Sequence, residues 1–140
     1  MSLWDLIDRY ASRYPTLGLV GNTPLVQRAL ARYLESGALE PHVDRMRSLY
    51  AQKCDTLVCS LRKHCGPYLR FTVPSGGFFL WVECIGASAG DVTRNAAELG
   101  LTFPPGALFY LHGEEDDTSH IRLALSTSDV GLLREVGPRL

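Results

Sequence analysis

The segment from His120 to Ser126 places an arginine in an alternating pattern of residues. Its aliphatic residues fall on one side of a predicted strand, and Arg122 falls on the other side with Ala124 and Ser126. A guanidinium stays charged and offers two parallel donors to a carboxylate. The pattern indicates either a carboxylate-binding site or a surface ion pair. The small neighbours favour the binding site, because they leave room beside the arginine.

Few other residues have the type and spacing expected of a catalytic or binding site. His120 shares the predicted face of Arg122, but a lone histidine at the start of a strand is more typical of a rim than of a ligand contact. Lys53 and Lys63 fall on the polar side of a predicted helix, where we expect both amines to be protonated and solvated. We therefore predict no catalytic residue in this sequence.

The sequence contains the cysteines Cys54, Cys59, Cys65 and Cys84. No pair has the C-x-x-C spacing of a metal site, and the cysteines on the predicted long helix are spaced so that they scatter around its axis. We predict neither a metal site nor a disulfide framework. Free thiols that are buried or half-buried are the expectation.

The composition limits the class of protein. With 140 residues, 46% hydrophobic and 21% charged, the chain can bury a core and is expected to form one compact unit. The formal net charge is -1 and no basic stripe with interleaved aromatics occurs, so nucleic acid is not an expected partner. No apolar run approaches the roughly 20 residues of a membrane helix. We predict a cytoplasmic protein that does not bind a membrane.

Helical patterns dominate the first half of the chain. They predict a short helix over residues 3–14, a second from Pro24 to a stop at Gly37, and a long helix over residues 41–65. At about 1.5 Å per residue the long helix would span roughly 38 Å. That length is enough to cross a domain and to link two lobes.

Short strands with intervening helices fill the second half. The predicted strands cover residues 68–73, 78–84, 101–103 and 120–126, and the predicted helices are one capped by Ser88 or Asp91 and one that starts at Asp129. Phe79 and Trp81 are expected in the core. The elements predict an α+β fold, in which a small sheet of three to four strands has helices packed on one face and follows the long linking helix.

Three motifs follow one another in a specific order: Pro74-Ser-Gly-Gly-Phe-Phe-Leu-Trp-Val82, Gly100-Leu-Thr-Phe-Pro-Pro-Gly-Ala-Leu-Phe109 and Ile121-Arg-Leu-Ala-Leu-Ser126. Together they resemble the class I/II, fold-type-I aminotransferases, which depend on pyridoxal phosphate (PLP). The upstream Asn22-Thr-Pro-Leu-Val-Gln27 is similar to the 2-aminoadipate and kynurenine aminotransferase branch and to the aminotransferase halves of related transcription regulators. The resemblance covers essentially the whole chain.

This resemblance implies a small C-terminal domain that closes over a cofactor-bearing large domain. Residues 1–38 would be the tail of the large-domain-like region, and residues 39–140 the small domain with its linking helix. In the family the lysine that holds PLP lies upstream of the matched segment, so the chain alone is expected to be inactive. The complete enzyme would be a homodimer that transfers an amino group between an amino acid and a 2-oxo acid.

The resemblance also assigns roles to single residues. The family arginine that matches Arg122 pairs with the α-carboxylate of the amino or keto acid. Pro105, Gly106 and Phe109 match a P-G-x-x-F element that shapes the small-domain wall of the pocket, although a merely structural turn suits the glycine at least as well. No cofactor-binding residue of the family carries over to this sequence.

Two other functions stay open at this point. The chain could be a non-catalytic binding or interaction module with an aminotransferase-like fold, or a fragment of an aminotransferase-type transcription regulator. A lysine-bearing large domain upstream would favour the enzyme. A winged helix ahead of that domain would favour the regulator.

Overall fold

A computed structural model describes residues 24–110 and 119–140 of the chain. Contacts divide the chain into two compact units, residues 1–43 and 44–140. The predicted helix over residues 3–14 lies outside the described residues, as does most of the polar loop that precedes Ser119.

The described part of the first unit contains helix α1 (Pro24–Glu35) and the first residues of helix α2 (Leu39–Cys65). Helix α1 starts at Pro24, as predicted, because the fixed φ and missing N–H of proline suit the first helical position. The hydroxyl of Tyr33 donates a hydrogen bond to the carbonyl oxygen of Ala38 at 3.1 Å. This bond spans the short turn between the two helices.

Helix α2 begins earlier than predicted, at Leu39 rather than at residue 41. Pro41 therefore lies inside its first turn. The missing N–H of proline costs little there, because the first four N–H groups of a helix have no partner within the helix. The helix ends at Cys65, as predicted, and a 3₁₀ turn (Gly66–Tyr68) follows.

The second unit contains a three-stranded antiparallel sheet in the order β1-β2-β3. Its strands are β1 (Leu69–Arg70), β2 (Phe79–Cys84) and β3 (His120–Ala124). The predicted strand at 68–73 forms only at Leu69–Arg70, because the 3₁₀ turn includes Tyr68 and residues 71–73 do not pair with β2. The prediction of a strand at 101–103 is wrong, and only an isolated bridge between Pro105 and Ile121 forms nearby. Pro104 and Pro105 have no N–H to donate, so this segment cannot extend the ladder.

The remaining helices start with the predicted caps. In helix α3 (Ala89–Glu98) the Ser88 hydroxyl accepts a hydrogen bond from the backbone N–H of Gly90 at 3.2 Å. In helix α4 (Val130–Arg139) the Asp129 carboxylate accepts one from the N–H of Leu132 at 2.8 Å. Both bonds satisfy N–H groups that a helix start leaves without partners.

The core of the second unit lies on one face of the sheet. Alternate residues of β2 and β3 are buried against apolar residues of all three of its helices. These core residues include Leu57, Leu61, Leu80, Val82, Ala96, Ile121, Leu123 and Leu133. The α+β fold with helices on one face is therefore confirmed.

On the opposite face of the sheet, the predicted burial of two aromatic residues is wrong. Phe79 and Trp81 were expected in the core, but 44% and 37% of their surfaces are exposed. They alternate with buried residues of β2, so their side chains leave the sheet on the other side. Trp81 pairs with Arg122 across the β2–β3 ladder, and both rings therefore belong to the arginine's face.

Helices α2 and α4 cross where Ser60 meets Gly137. The Ser60 hydroxyl donates a hydrogen bond to the carbonyl oxygen of Arg134 at 2.6 Å and accepts one from the N–H of Gly137 at 3.0 Å. Pro138 lies four residues after Arg134 and has no N–H, so the hydroxyl replaces the missing helical donor. A Cβ at Gly137 would overlap the backbone of Ser60, so only glycine permits this close approach.

The predictions for the two lysines of α2 had different outcomes. Lys53 was predicted to be solvated, but it is only 8% exposed and its Nζ donates a hydrogen bond to the carbonyl oxygen of Ser126 at 3.0 Å. Lys63 is exposed, as predicted.

The cysteines are free thiols, and they are buried or half-buried except for Cys59, which is exposed. Burial raises the pKa of the Cys65 thiol.

In the described ranges, 24–110 and 119–140, no helix is both long and apolar enough to cross a membrane. No cluster of histidine, cysteine and acidic side chains there has the arrangement of a metal site.

Candidate functional site

Arg122 lies in the middle of β3 and is held by neighbours on both sides of the strand. It pairs with Trp81 of β2, and its backbone N–H donates a hydrogen bond to the carbonyl oxygen of Pro104 at 3.2 Å. The predicted alternation of β3 is confirmed, with Ile121 and Leu123 buried and Arg122 on the opposite face. The arginine therefore projects from a backbone that is fixed from two directions.

The guanidinium of Arg122 lies between two aromatic rings. Its Cζ atom is 4.2 Å from the ring centroid of Phe79 and 3.6 Å from that of Phe109. Phe79 belongs to β2, whereas Phe109 ends a 3₁₀ turn (Gly106–Phe109). Stacking of this kind attracts the cation to the ring faces and fixes the plane of the guanidinium. Hydrogen bonds to a ligand would then form at its edge.

No acidic side chain of the described residues forms an ion pair with Arg122. On the same face Glu83 is paired with Arg70 at 3.0 Å instead. The Nε atom of Arg122 is buried and has no hydrogen-bond partner among the described groups. The guanidinium is therefore a cation without a counter-ion in this part of the chain, which is the electrostatic state expected of an anion-binding group.

Aromatic side chains continue around the arginine. The His120 ring is stacked on Trp81, with ring centroids 5.5 Å apart and an interplanar angle of 16°. The edges of Phe109 and Tyr110 approach Trp81 at centroid distances of 6.1 and 6.0 Å. Packed in this way, His120 is part of the wall beside Arg122.

Gly106 allows the turn that carries Phe109 to lie directly on the sheet. A Cβ at this position would lie 2.8 Å from both the Cβ and the carbonyl oxygen of His120, and 2.9 Å from the Cη2 atom of Trp81. Pro105 precedes it in extended conformation and bridges to Ile121. Gly106 thus has a packing role that determines where Phe109 lies. Direct contact of Pro105, Gly106 and Phe109 with a ligand stays a prediction.

The Arg122 face is partly exposed among the described residues, with 44% of Phe79, 37% of Trp81 and 43% of Phe109 exposed. Two grooves of the second unit, of about 520 and 600 Å³, lie against α2 and α4 and are not lined by Arg122. A cavity of about 120 Å³ touches Arg122, Ala124 and Thr127, but it also reaches Leu133 of the core. A ligand on the Arg122 face would therefore need a cover from outside this sheet.

Sequence reasoning singled out Arg122 as a candidate but did not predict that Phe79 and Trp81 share its face. Phe79 and Trp81 were assigned to the core because β2 is a nearly continuous apolar run. The signal that could have found them is the strand pairing, since an antiparallel neighbour of an alternating strand alternates as well. With Trp81 opposite Arg122, the β2 aromatics must share the arginine's face.

PLP, which the family resemblance implies, needs a lysine amine and donors for its phosphate. The described residues do not fit that role. The Lys53 ammonium is buried against the Ser126 carbonyl oxygen, and Lys63 is exposed beside the α2–α4 groove. Neither lysine reaches the Arg122 face, so no step that involves the cofactor follows from this chain.

Sequence comparison finds relatives of two kinds. A 2-aminoadipate transaminase of Thermus thermophilus is 30% identical over 109 residues, which are 77% of this chain and 27% of that protein. An uncharacterized HTH-type transcriptional regulator of Escherichia coli, YjiR, is 27% identical over 119 residues, which are 83% of this chain and 25% of the relative. No family model matches the sequence.

Solved structures of aminotransferases are also similar to this chain. The α-aminoadipate aminotransferase LysN of T. thermophilus matches with a TM-score of 0.75 and 28% identity, over 88% of this chain and 31% of that one. A kynurenine aminotransferase of Pyrococcus horikoshii matches with a TM-score of 0.69 and 28% identity, over 77% of this chain and 26% of that one.

The chain spans about a quarter of the length of the curated relatives it matches. The matches nevertheless cover most of its residues and agree with the family that the motifs resemble and with the α+β fold. Both the sequence and the structure therefore identify the chain as a C-terminal domain of the fold-type-I aminotransferase family.

Proposed function

We propose that this domain supplies the arginine that binds the substrate carboxylate of a PLP-dependent aminotransferase. One observation carries the proposal: the Arg122 guanidinium is fixed between Phe79 and Phe109 and has no acidic partner among the described residues. A cation held in this way is prepared to form a bidentate pair with a planar anion. An α-carboxylate is the anion that every amino acid and every 2-oxo acid presents.

The proposed reaction transfers an amino group between an amino acid and a 2-oxo acid. PLP, when bound, carries the amino group between the two substrates. Arg122 would bind the carboxylate of each substrate in turn and so orient the bonds at its α-carbon. A displacement of about 1 Å at such a site can cost about a hundredfold in rate, so the rigid support of Arg122 matters for catalysis.

The wider context of the domain is part of the proposal. Residues 1–38 would belong to the tail of a large domain, which supplies the cofactor lysine and covers the partly exposed Arg122 face. The complete enzyme would act as a cytoplasmic homodimer in amino-acid metabolism. Relatives that are named as aminotransferases support this view.

A second candidate function is the ligand-binding half of a transcription regulator. The similarity to the HTH-type regulator YjiR favours it, since the match covers 83% of this chain. Arg122 would then bind the carboxylate of an effector amino acid. The two candidates differ in their readouts, because the enzyme turns over amino acids, whereas the regulator changes its DNA binding when the amino acid is added.

The carboxylate role can be tested with matched ligands. In the full-length protein, an amino acid that binds should be compared with the amine that lacks only its carboxylate. We expect the amine to bind at least about 30-fold more weakly, because a paired charge in a closed site contributes roughly 2 kcal/mol or more. Equal affinity for the two ligands would contradict the proposal for enzyme and regulator alike.

A further inference from the structure

Lys53 is a buried charged residue, within the part of the chain that the structure describes, that the proposed function leaves unexplained. Only 8% of its surface is exposed, and its ammonium has a hydrogen bond to the carbonyl oxygen of Ser126 at 3.0 Å. Burial of an ammonium is unfavourable unless the charge is well satisfied. An apolar side chain at this position would fill the same space without that penalty. We therefore attribute the presence of a lysine to the hydrogen bond that its Nζ donates.

The carbonyl that accepts the Lys53 hydrogen bond lies just beyond the strand of Arg122. Ser126 lies two residues after Ala124, the last residue of β3, so its carbonyl lies outside the ladder that joins β3 to β2. Buried carbonyl groups need a donor. The long lysine side chain supplies one from α2 and ties the end of this strand to the helix.

Tyr50, one turn earlier on α2, makes a matching contact with the neighbouring strand. Its ring packs edge-on against Phe78, with centroids 4.9 Å apart, and the Lys53 ammonium lies 5.7 Å from the Tyr50 centroid. Phe78 and Leu125 are joined by a backbone hydrogen bond of 2.8 Å. A single turn of α2 therefore holds the start of β2 and the end of β3 together.

We propose that Lys53 is a positioning residue for Arg122, an inference that rests on the proposed function. Phe78 directly precedes Phe79, whose ring lies against the guanidinium, and Ser126 lies two residues after the strand that carries Arg122. Loss of the Lys53 bond frees the segment that follows β3 from α2. The end of the β2–β3 ladder beside Phe79 is then held less firmly, and the guanidinium samples orientations that do not fit a carboxylate.

A test on the chain itself observes Arg122 directly. The Nε–Hε signal of Arg122 in an NMR spectrum, assigned with Arg122→Lys, is sensitive to the rings on either side of the guanidinium. We expect Lys53→Met to move this signal and to increase its exchange with water, and Lys53→Arg to restore it in part. Lys63→Met is the matched control, since Lys63 is exposed on the same helix. An unchanged Arg122 signal in a folded Lys53→Met chain would overturn the proposal.

Tyr50→Leu provides a second variant in case Lys53→Met does not fold. It removes the ring contact with Phe78 and leaves the buried ammonium and its hydrogen bond in place. The Arg122 signal should move in this variant as well. If it stays where it is in the unmodified chain, the link between this turn of α2 and Arg122 is refuted.

Kinetic measurements distinguish a failure of this inference from a failure of the proposed function. In the full-length protein, Lys53→Met should raise the KM for the amino acid about 5- to 20-fold, within the range expected of coupled neighbours. The same change should have little further effect when Arg122 is already alanine, because Lys53 acts through Arg122. If Arg122→Ala itself has no effect, the proposed function fails. If Arg122→Ala raises KM and Lys53→Met does not, only the role of Lys53 fails.

Discussion

The Cζ atom of Arg122 lies 3.6 Å from the ring centroid of Phe109, which belongs to a turn that approaches the sheet from outside β2 and β3. The ring of Phe79 lies on the arginine at 4.2 Å. Residues far apart in the sequence thus fix one guanidinium plane. The orientation of Arg122 depends on the 3₁₀ turn as much as on its own strand.

Phe109→Ala should weaken substrate binding without removing it. A cation–π contact contributes about 0.5–2 kcal/mol, which corresponds to a rise in KM of about 2- to 30-fold. Leu108→Ala is the control, because Leu108 lies on the same turn and is 66% exposed. Steady-state kinetics of the full-length protein would decide, and equal KM values for the two variants would argue against a role for the ring.

Gly106→Ala should destabilise the domain and displace Phe109. The new Cβ would lie 2.8 Å from the carbonyl oxygen of His120, and backbone atoms cannot move away cheaply. Overpacking of this kind costs about 1–3 kcal/mol. Gly76→Ala is the control, since a Cβ there meets nothing within 4 Å. Chemical denaturation would measure both, and a Gly106→Ala chain as stable as the control would contradict the packing role.

Much of the fold could be predicted from local patterns in the sequence. Pro24 starts α1 and Ser88 starts α3 because their chemistry acts within one helical turn. The alternation of β3 similarly placed Arg122 on the correct face.

The errors arose where the outcome depends on distant contacts. The apolar run of β2 could not distinguish a strand buried on both faces from one with an aromatic outer face. Lys53 has the polar neighbours of a solvated lysine, but its acceptor, Ser126, lies 73 residues further along the chain. The sandwich around Arg122 likewise combines β2, β3 and the 3₁₀ turn, and no local spacing encodes it.

Ser60→Ala should destabilise the crossing of α2 and α4. The carbonyl of Arg134 would lose its hydroxyl donor at 2.6 Å, and Pro138 offers no N–H to replace it. An unsatisfied buried group costs about 1–3 kcal/mol.

The same carbonyl provides a rescue experiment. Pro138→Ala introduces the missing N–H, so it should recover part of the stability that Ser60→Ala loses. The free energy of unfolding of the two single variants and the double variant measures this coupling. Strict additivity would show that the hydroxyl does not act as the substitute donor.

The chain should not acquire a specific PLP label at a lysine. After incubation with PLP and reduction with borohydride, we expect no pyridoxyl group at one equivalent on any single residue. The Lys53 ammonium is engaged with the Ser126 carbonyl, and Lys63 is exposed to solvent at the rim of the α2–α4 groove. Mass spectrometry of peptides would check this, and one stoichiometric label at either lysine would show that a cofactor site had been overlooked.

The effect of Arg122→Ala on the KM for amino and 2-oxo acids tests the central claim most directly. It should be measured with the domain joined to the cofactor-bearing large domain that we propose for the complete enzyme, with Arg70→Ala as the control on the same face. We expect Arg122→Ala to raise KM by at least about 30-fold, from a loss of roughly 2–5 kcal/mol, and to leave PLP binding nearly intact. Arg122→Lys should recover only part of this loss, because an ammonium lacks the planar fork. Arg70 forms an exposed pair with Glu83, so its loss should cost about 0–1 kcal/mol. A KM for Arg122→Ala within about threefold of the unmodified protein, less than about 1 kcal/mol, would contradict the carboxylate role of Arg122.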